Sequence, residues 1–566
     1  MSNRLTLAAA CAFAALLSSG AAFAEVKSDY LGFEQKELLP FQPGDAAGAP
    51  SGSVVFGSPA NGPLPHAVIR FEGISQYDVA SVARNFIPPD TIAAAGRTQI
   101  MEFANGGVAV FDKATGMRTS FSSDLAFWQG LGQAGANGDS RVMYNAEANR
   151  WIATSFANNV SQIQIAVSDT SNASGDWKST VFTGYAGLGF GGTADYPTLA
   201  LTQNSVIIGT NDFAPATAGG ANAFRGTGLT IIPLDSLFNA GGPTVANGVQ
   251  FFTGCCGAGS DFTRGYAIQG VNGSGAGGVD SILAVSIEAN GLTTYDISAL
   301  NRSSALGAQR GAATDFLGLQ DYTVNGSGRQ PYTTGTGDPR VIDTLDDRVG
   351  SSVYEVNGRI YSLHTITEVD SLGQSLDHTY VRWDVMDAAT RAILAEGDIG
   401  DGIHDYYEGS LAVNSRGQVV MAYNRSGTDP LDGNISIFAR QFMTLGDGSL
   451  SSIGGEVLLK VSDSDSYHNG SRYGLPAAGR QRWGDYSSVS LDPEDESMFW
   501  IAGEFAREPN DEAHGHPGGT GGTRWGTYIT GFQVGNAVPE PGTWMLLISG
   551  FGLAGAALRR RRMIAA

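Results

Sequence analysis

The stretch that decides the fold is Asp405-Tyr406-Tyr407-Glu408-Gly409-Ser410-Leu411-Ala412-Val413, followed after residues 414–418 by Val419-Val420-Met421-Ala422-Tyr423-Asn424. Two short runs rich in branched and aromatic residues flank a polar turn, which is the pattern of a β-hairpin. The same order recurs at Asp195-Tyr196-Pro197-Thr198-Leu199-Ala200-Leu201, leading into Val206-Ile207-Ile208-Gly209-Thr210-Asn211. It recurs again at Asp485-Tyr486-Ser487-Ser488-Val489-Ser490-Leu491, leading into Met498-Phe499-Trp500-Ile501-Ala502-Gly503-Glu504. A weaker copy runs from Pro89-Asp90-Thr91 to Ile100-Met101-Glu102-Phe103-Ala104-Asn105. One hairpin, opened by an Asp beside an aromatic ring and closed by a polar residue, is used repeatedly.

Further copies widen the pattern. Gly138-Asp139-Ser140-Arg141-Val142-Met143-Tyr144 is completed by Arg150-Trp151-Ile152-Ala153, and Gly337-Asp338-Pro339-Arg340-Val341-Ile342-Asp343 by Gly358-Arg359-Ile360-Tyr361. Strand patterns continue at residues 67–71, 162–167, 281–287, 380–385 and 436–438, with turn clusters between them. Seventy-eight glycines and 16% charged residues fit many tight turns joining short strands. No long amphipathic helix is expected, only a short turn near Asp296–Leu300. Repeated four-stranded units over such a length predict an all-β protein, a β-propeller of six to eight four-stranded blades, because radial closure protects the sheet edges. A β-helix would need a shorter and stricter period. The chain divides into 1–24, a Pro/Gly/Ala-rich lead-in at 25–66, the propeller at 67–535 and a tail at 538–562.

Both ends carry topological signals. Arg4, the apolar run Leu5–Leu17 and the small-x-small pattern Ala22-Phe23-Ala24 before Glu25 predict a signal peptide cleaved by signal peptidase. Near the other end, Thr543–Leu558 holds no charge and is followed by Arg559, Arg560, Arg561 and Arg562. Sixteen helical residues span about 24 Å, short of the ~30 Å hydrocarbon core by an amount that snorkelling arginines absorb. The arginines hold their end in the cytoplasm, which places the body outside the inner membrane.

Composition narrows the partners. The sequence has 34 basic and 55 acidic residues, a net charge of −21. Residues 1–24 and 542–566 carry five arginines and no acid, so the body without them stands at −26. A body that acidic does not suit nucleic acid or an anionic membrane, which leaves the C-terminal helix as its one contact with lipid, before processing. The body's cysteines, Cys255 and Cys256, are adjacent, which excludes a disulfide framework and leaves either a vicinal disulfide or two free thiols.

Val538-Pro539-Glu540-Pro541-Gly542-Thr543-Trp544, standing before the apolar helix and arginine cluster, resembles the PEP-CTERM tails of exported bacterial proteins. That resemblance implies Pro539, Glu540, Pro541 and the four arginines as a sorting signal, an exosortase as processing partner, and release or surface attachment in an exopolysaccharide-producing, biofilm-forming cell. A permanent anchor is the alternative. Pro88-Pro89-Asp90-Thr91, Asp139-Ser140-Arg141-Val142 and Arg482-Trp483-Gly484-Asp485-Tyr486-Ser487 resemble, in that order, segments of bacterial exported β-propellers of sialidase-like fold. This second likeness implies a fold and no assigned reaction.

A sialidase-type site would draw on Arg141, Arg340 and Arg482 for a carboxylate, Tyr406 with Glu408 as nucleophile pair, and Glu504, Asp90 or Asp485 as further carboxylates. The sialidase Phe/Tyr-Arg-Ile-Pro signature is absent, and Ser168-Asp169-Thr170 with Gly175-Asp176-Trp177 only stretches towards an Asp box. Residues repeated with the fold are expected to serve the fold, so Asp195, Asp405 and Asp485 are read first as ties between blades. Calcium is the one cofactor the loops suggest, at Asp463 and Asp465 or at Asp343, Asp346 and Asp347, against the alternative of solvated acidic loops. The rings of Trp128, Tyr196, Tyr406, Trp483, Tyr486 and Trp525 suggest an exposed face that stacks on carbohydrate. The function expected is an exported propeller, secreted or held at the cell surface, that binds extracellular polysaccharide or a surface protein. A glycoside hydrolase and a purely structural surface protein are the alternatives.

Overall fold

The computed structural model describes residues 55–56 and, with internal breaks of which the longest are 253–266, 297–321, 330–341, 468–480 and 510–522, residues 64–535. The expected signal peptide with Ala22 and Ala24, the sorting tail, the Cys255–Cys256 pair, Arg340, Asp346, Asp347 and Asp465 lie outside the described residues.

Six β-sheets form the blades. The first runs through Ile92–Ala95, Gln99–Ala104, Gly107–Asp112 and Arg118–Ser122 in chain order, each strand antiparallel to the next. The second repeats this from Arg141–Asn145 to Trp177–Thr183, and the third from the two short strands Thr193–Asp195 and Ala200–Leu201 through Ser205–Phe213 and Phe224–Pro233 to Val249–Phe252. The fourth is a double blade. Its fan Gln269–Asn272, Leu283–Glu288, Gly291–Asp296 joins the fan Val353–Val356, Arg359–Val369, Ser375–Asp387, Ile393–Ile399 through a parallel pair, Val271 opposite Val353. The fifth spans Asp405–Val413 to Leu450–Val461. Seven inner strands therefore surround the axis, two of them from the double blade.

Closure joins the two ends of the body. In the last blade Ser488–Leu491, Met498–Pro509 and Thr523–Gln533 are completed by His66–Ser75, with Ala67 opposite Phe532 and Phe71 opposite Ile529. Val55–Phe56 pairs beyond it, with Val55 opposite Arg70, so the lead-in contributes a short strand where none was expected. No sheet edge is left at the seam of the ring, which is the usual liability of an open sheet.

The burial pattern explains why the sequence signal was strong in some strands and faint in others. Second strands are buried on both faces because blades pack against each other, and Ser205–Phe213 is buried throughout. Outer strands face solvent on one side, so Ile393–Ile399 alternates half-buried and exposed positions. Among the described residues, connections carry three short helices, Gln76–Val82, Asp124–Gly130 and Leu234–Leu237, and the second is capped by Ser123 Oγ accepting from Ala126 N.

One expected hairpin does not form. Ile342–Asp343 does not pair with Arg359–Tyr361; it runs parallel to Gln481–Arg482, with Ile342 opposite Gln481. Arg359 instead turns back on Val356. The shared Asp-x-Arg-Val wording concealed different partners, since the pairing of a two-residue strand is set by its surroundings more than by its sequence.

Candidate functional site

Five residues of the inner strands or their approaches are forced into the left-handed backbone region: Asp90 (φ 49°), Asp139 (φ 48°) and Ala267 (φ 50°), each two residues before its strand, Tyr196 (φ 53°), directly after Thr193–Asp195, and Glu408 (φ 52°), within Asp405–Val413. None is glycine, so each carries a conformational cost that its surroundings must sustain. What sustains them is a ring of hydrogen bonds between blades. Asn105 Oδ1 accepts from Asp139 N at 3.2 Å, Arg141 Nε donates to Pro197 O at 3.0 Å, and Asn211 Oδ1 accepts from Ala267 N at 2.8 Å. Within the double blade Asn272 Nδ2 donates to Val353 O at 3.0 Å. Onward, Thr365 Oγ1 accepts from Glu408 N at 3.2 Å, Ser410 Oγ accepts from Val489 N at 3.0 Å, and Glu504 Oε1 accepts from Thr91 N at 3.1 Å. Every junction around the axis is bridged by a side chain bonded to the neighbouring backbone.

At this end of the axis the polar side chains close into a plug. Asp90 Oδ1 accepts from Asp485 N at 2.9 Å, and its Oδ2 accepts from Asn105 Nδ2 at 2.6 Å. Arg482 pairs with Asp485 at 2.8 Å, and Arg348 lies 3.9 Å from the same carboxylate. Tyr196 donates to Asp485 O at 3.2 Å, while Arg141 lies 3.2 Å from the centre of the Tyr486 ring. Stacked arginine and tyrosine thus span from the second and third blades to the last one.

Glu408 and Glu504 meet at Gly484, where a β-carbon would overlap both carboxylates. Glu504 is completely buried, and the carboxylate oxygens of Glu408 are enclosed although the residue as a whole is partly reached by solvent. Burial drives the proton affinity of both groups well above the usual carboxylate range; Asp90 adds to this at both, and Glu408 adds to it at Glu504. Neither Glu408 oxygen, nor Glu504 Oε2, accepts a hydrogen bond of good geometry from a described group. A cavity of about 20 Å³ abuts Glu408, lined also by Gly484, Asp485, His364 and Arg348, with room for a water or so. On the far side of the plug the axis widens into a cavity of about 310 Å³ walled by the inner strands, chiefly by apolar residues such as Val142, Leu199, Val413 and Leu491.

The residues singled out by sequence fall into distinct places. Arg141, Arg482, Glu408 and Glu504 converge on the plug, together with Asp90 and Asp485. Tyr406 does not join Glu408. It packs on Tyr423 with ring centres 5.6 Å apart, beside the Glu456–Arg425 pair, and burial raises its hydroxyl. Asp405 is a tie between blades, accepting from Arg329 Nε at 2.8 Å and from Thr379 N at 3.1 Å. Asp195 caps its own neighbour, Tyr196 N, at 2.9 Å. Asp463 pairs with Lys460, and Asp343 Oδ1 accepts from Leu345 N at 3.0 Å. Among the described residues no three His, Cys, Asp or Glu side chains stand around one point as a metal would need.

The expected aromatic face is corrected outright. Trp128, Tyr196, Tyr406, Trp483, Tyr486 and Trp525 are all at most 2% exposed, so none presents a ring to a sugar. Their size fills the space between blades, and their polar atoms are used there: Trp525 Nε1 donates to Phe86 O at 2.7 Å, and Trp483 Nε1 to Asn424 Oδ1 at 3.1 Å. Sequence reasoning also missed Arg348, which lies in no repeated position, and the part played by Gly484, which is quoted above only within the Arg482–Ser487 segment.

Residues 537–562 match the PEP-CTERM protein-sorting motif. The chain therefore carries a sorting signal of exported proteins that are held transiently at the membrane. No curated protein matches the chain. Among solved structures it is similar to the WD40 repeats of RRP9, at 8% identity and a TM-score of 0.38, covering 78% of this chain and 94% of that one. It is also similar to a protein of unknown function from Dyadobacter fermentans, at 11% identity and TM-score 0.32, covering 78% and 93%. A third is an endo-arabinase from Bacteroides thetaiotaomicron, at 12% identity and TM-score 0.27, covering 53% and 92%. Among the described residues no helix is long and apolar enough to cross a membrane.

Proposed function

We propose that the protein is an exported propeller that binds a polymer of the extracellular matrix, polysaccharide or surface protein, without cleaving it. The observation that carries this reading is the closure of the axial plug. Glycosidases hold their two carboxyl groups about 5–5.5 Å apart or more, with the sugar between them. Glu408 and Glu504 both reach the point a Gly484 β-carbon would take, which leaves less than that separation and no opening for a ring. Their neighbours serve the ring of blade-to-blade bonds. Export is supported by the sorting motif, and an exosortase would remove or transfer the tail at the membrane, after signal peptidase has acted at the other end. The final station is then the cell surface or the medium.

The test uses the processed protein incubated with exopolysaccharide from an exosortase-bearing bacterium. Co-sedimentation without new reducing ends is the result expected. Release of reducing ends that Glu408→Gln or Glu504→Gln abolishes would establish a glycoside hydrolase instead. Neither binding nor release, repeated with isolated surface proteins, would leave a purely structural role.

A further inference from the structure

The propeller ends on a clasp. Gly535 N donates to Gln441 Oε1 at 2.6 Å, and Gly535 O accepts from Gln441 Nε2 at 2.9 Å and from Gln418 Nε2 at 3.2 Å. Both glutamines are buried, and so is Val534, whose N donates to Ser497 O at 2.9 Å. Withdrawing Gly535 would strip enclosed amide groups of their partners, so the end of the last blade is fastened to the fifth. No residue before 536 is free to lengthen the tether to the tail. The turns around the exit are themselves tied together, Asn414 Nδ2 donating to Glu496 O at 2.8 Å.

Pro539, where the Pro-Glu-Pro signal begins, stands four residues beyond Gly535, and Thr543, where the apolar run begins, stands eight beyond. A fully extended chain covers about 14 Å and about 28 Å over those separations. The exit lies at the end of the axis away from the plug. Asp405–Val413 runs from Glu408, at the plug, to Val413, at the large cavity, and the turn after it leads to Gln418. For the plug end to face the membrane, the tail would have to run back beside Thr523–Gln533, about 35 Å at 3.4 Å per residue. Neither separation reaches that far. We infer that, while the tail is in the membrane, the end of the propeller carrying Gly535 is the face turned to the exosortase, and that the clasp sets how far the signal stands from it. The inference rests on the export reading above and adds the orientation of the body to it. The plug end is then turned outward, towards the matrix.

The experiment uses the full chain, produced in an exosortase-bearing bacterium, with removal of the tail followed by mass. Deleting Asn536 and Ala537 shortens the reach from Gly535 to the signal to about 7 Å and should slow removal at least tenfold. Gly-Ser in their place should restore it, and the melting temperature of the body should be the same in all three proteins. A photoreactive benzophenone side chain at Arg416, exposed in the turn before Gln418, should crosslink to the exosortase. One at Leu431, exposed at the other end of the same blade, should not. Removal at the wild-type rate after the deletion would overturn the inference and leave the export reading standing. Crosslinking from Leu431 in place of Arg416, or failure of Gly-Ser to restore removal, would do the same. A wild-type tail that is never removed would overturn the exosortase reading and the inference with it.

Discussion

Ser488 and Ala93 exchange two hydrogen bonds across the seam between the last blade and the first: Ser488 Oγ accepts from Ala93 N at 2.8 Å and lies 3.2 Å from Ala93 O, to which it donates. Inner strands have one edge without a strand partner, and this hydroxyl satisfies a donor and an acceptor on that edge. Ser488→Ala leaves two buried backbone groups without partners, an expected loss of about 2–3 kcal/mol. The hydroxyl of Ser490, two residues on, makes no hydrogen bond to a described group, and Ser490→Ala should stay within about 0.5 kcal/mol. Urea denaturation midpoints of the two variants check the contrast. Equal effects would mean that the seam is held by packing alone.

The hairpins were legible because their second strands are apolar on both faces and their turns are short. Val206–Thr210 and Val419–Tyr423 were each found inside the longer strands Ser205–Phe213 and Gln418–Ser426. Closure by His66–Ser75 was not, because a strand whose partner, Thr523–Gln533, stands at the far end of the body leaves no local mark. The site was half legible. Glu408 and Glu504 stood out as acids at hairpin positions, whereas their burial, and that of Trp483 and Tyr486, depends on how blades pack. An aromatic residue beside a turn reads alike whether it faces solvent or the next blade.

A repeat that sequence reading passed over gives the next test. Asp112-Lys113-Ala114-Thr115-Gly116-Met117 and Asp387-Ala388-Ala389-Thr390-Arg391-Ala392 form the same turn between third and fourth strands. In each, the Asp Oδ1 accepts from the Thr N, at 2.8 and 2.7 Å, and the fifth residue is left-handed, at φ 68° and 65°. Arg391 bears strain that Gly116 does not. Arg391→Gly should be neutral or stabilising by up to about 1 kcal/mol, the gain being offset by the freedom glycine adds to the unfolded chain. Gly116→Ala should cost about 2 kcal/mol, since its β-carbon would stand 2.6 Å from Phe71 Cδ1 in addition to the strain. Thermal melts of the pair decide it, and a costly Arg391→Gly would show that the arginine's own contacts outweigh its backbone.

Gly484 invites a sharper substitution. An added methyl has nowhere to go except against the two buried carboxylates, so Gly484→Ala should cost about 2–3 kcal/mol. Gly446 has nothing within 4 Å of its β-carbon position, and Gly446→Ala should be silent or slightly stabilising. Denaturation of both variants tests whether the plug is as closed as its packing implies. A silent Gly484→Ala would mean that the carboxylates move apart freely.

Glu102 makes stability depend on pH. Its Oε2 accepts from Ile74 N at 2.9 Å, and its Oε1 lies 2.5 Å from Thr527 Oγ1, which is itself 2.9 Å from Ile74 O. One hydroxyl proton cannot serve both oxygens, so a protonated Glu102 donates to Thr527 while Thr527 donates to Ile74 O. Burial pushes the group up to about 7, in line with that proton count. A raised value in the folded state means that stability is complete below about pH 4.5 and is lost as the pH rises through 7, by about 3 kcal/mol. Glutamine reproduces the protonated form, its Nε2 donating to Thr527 and its Oε1 accepting from Ile74 N. Glu102→Gln should therefore match the wild type at pH 4.5 and exceed it above pH 7. Asp384, also raised by burial to about 7, leaves a residual slope in the variant. Urea midpoints at pH 4.5, 6 and 8 measure the difference, and parallel curves for the two proteins would place the titrating group elsewhere.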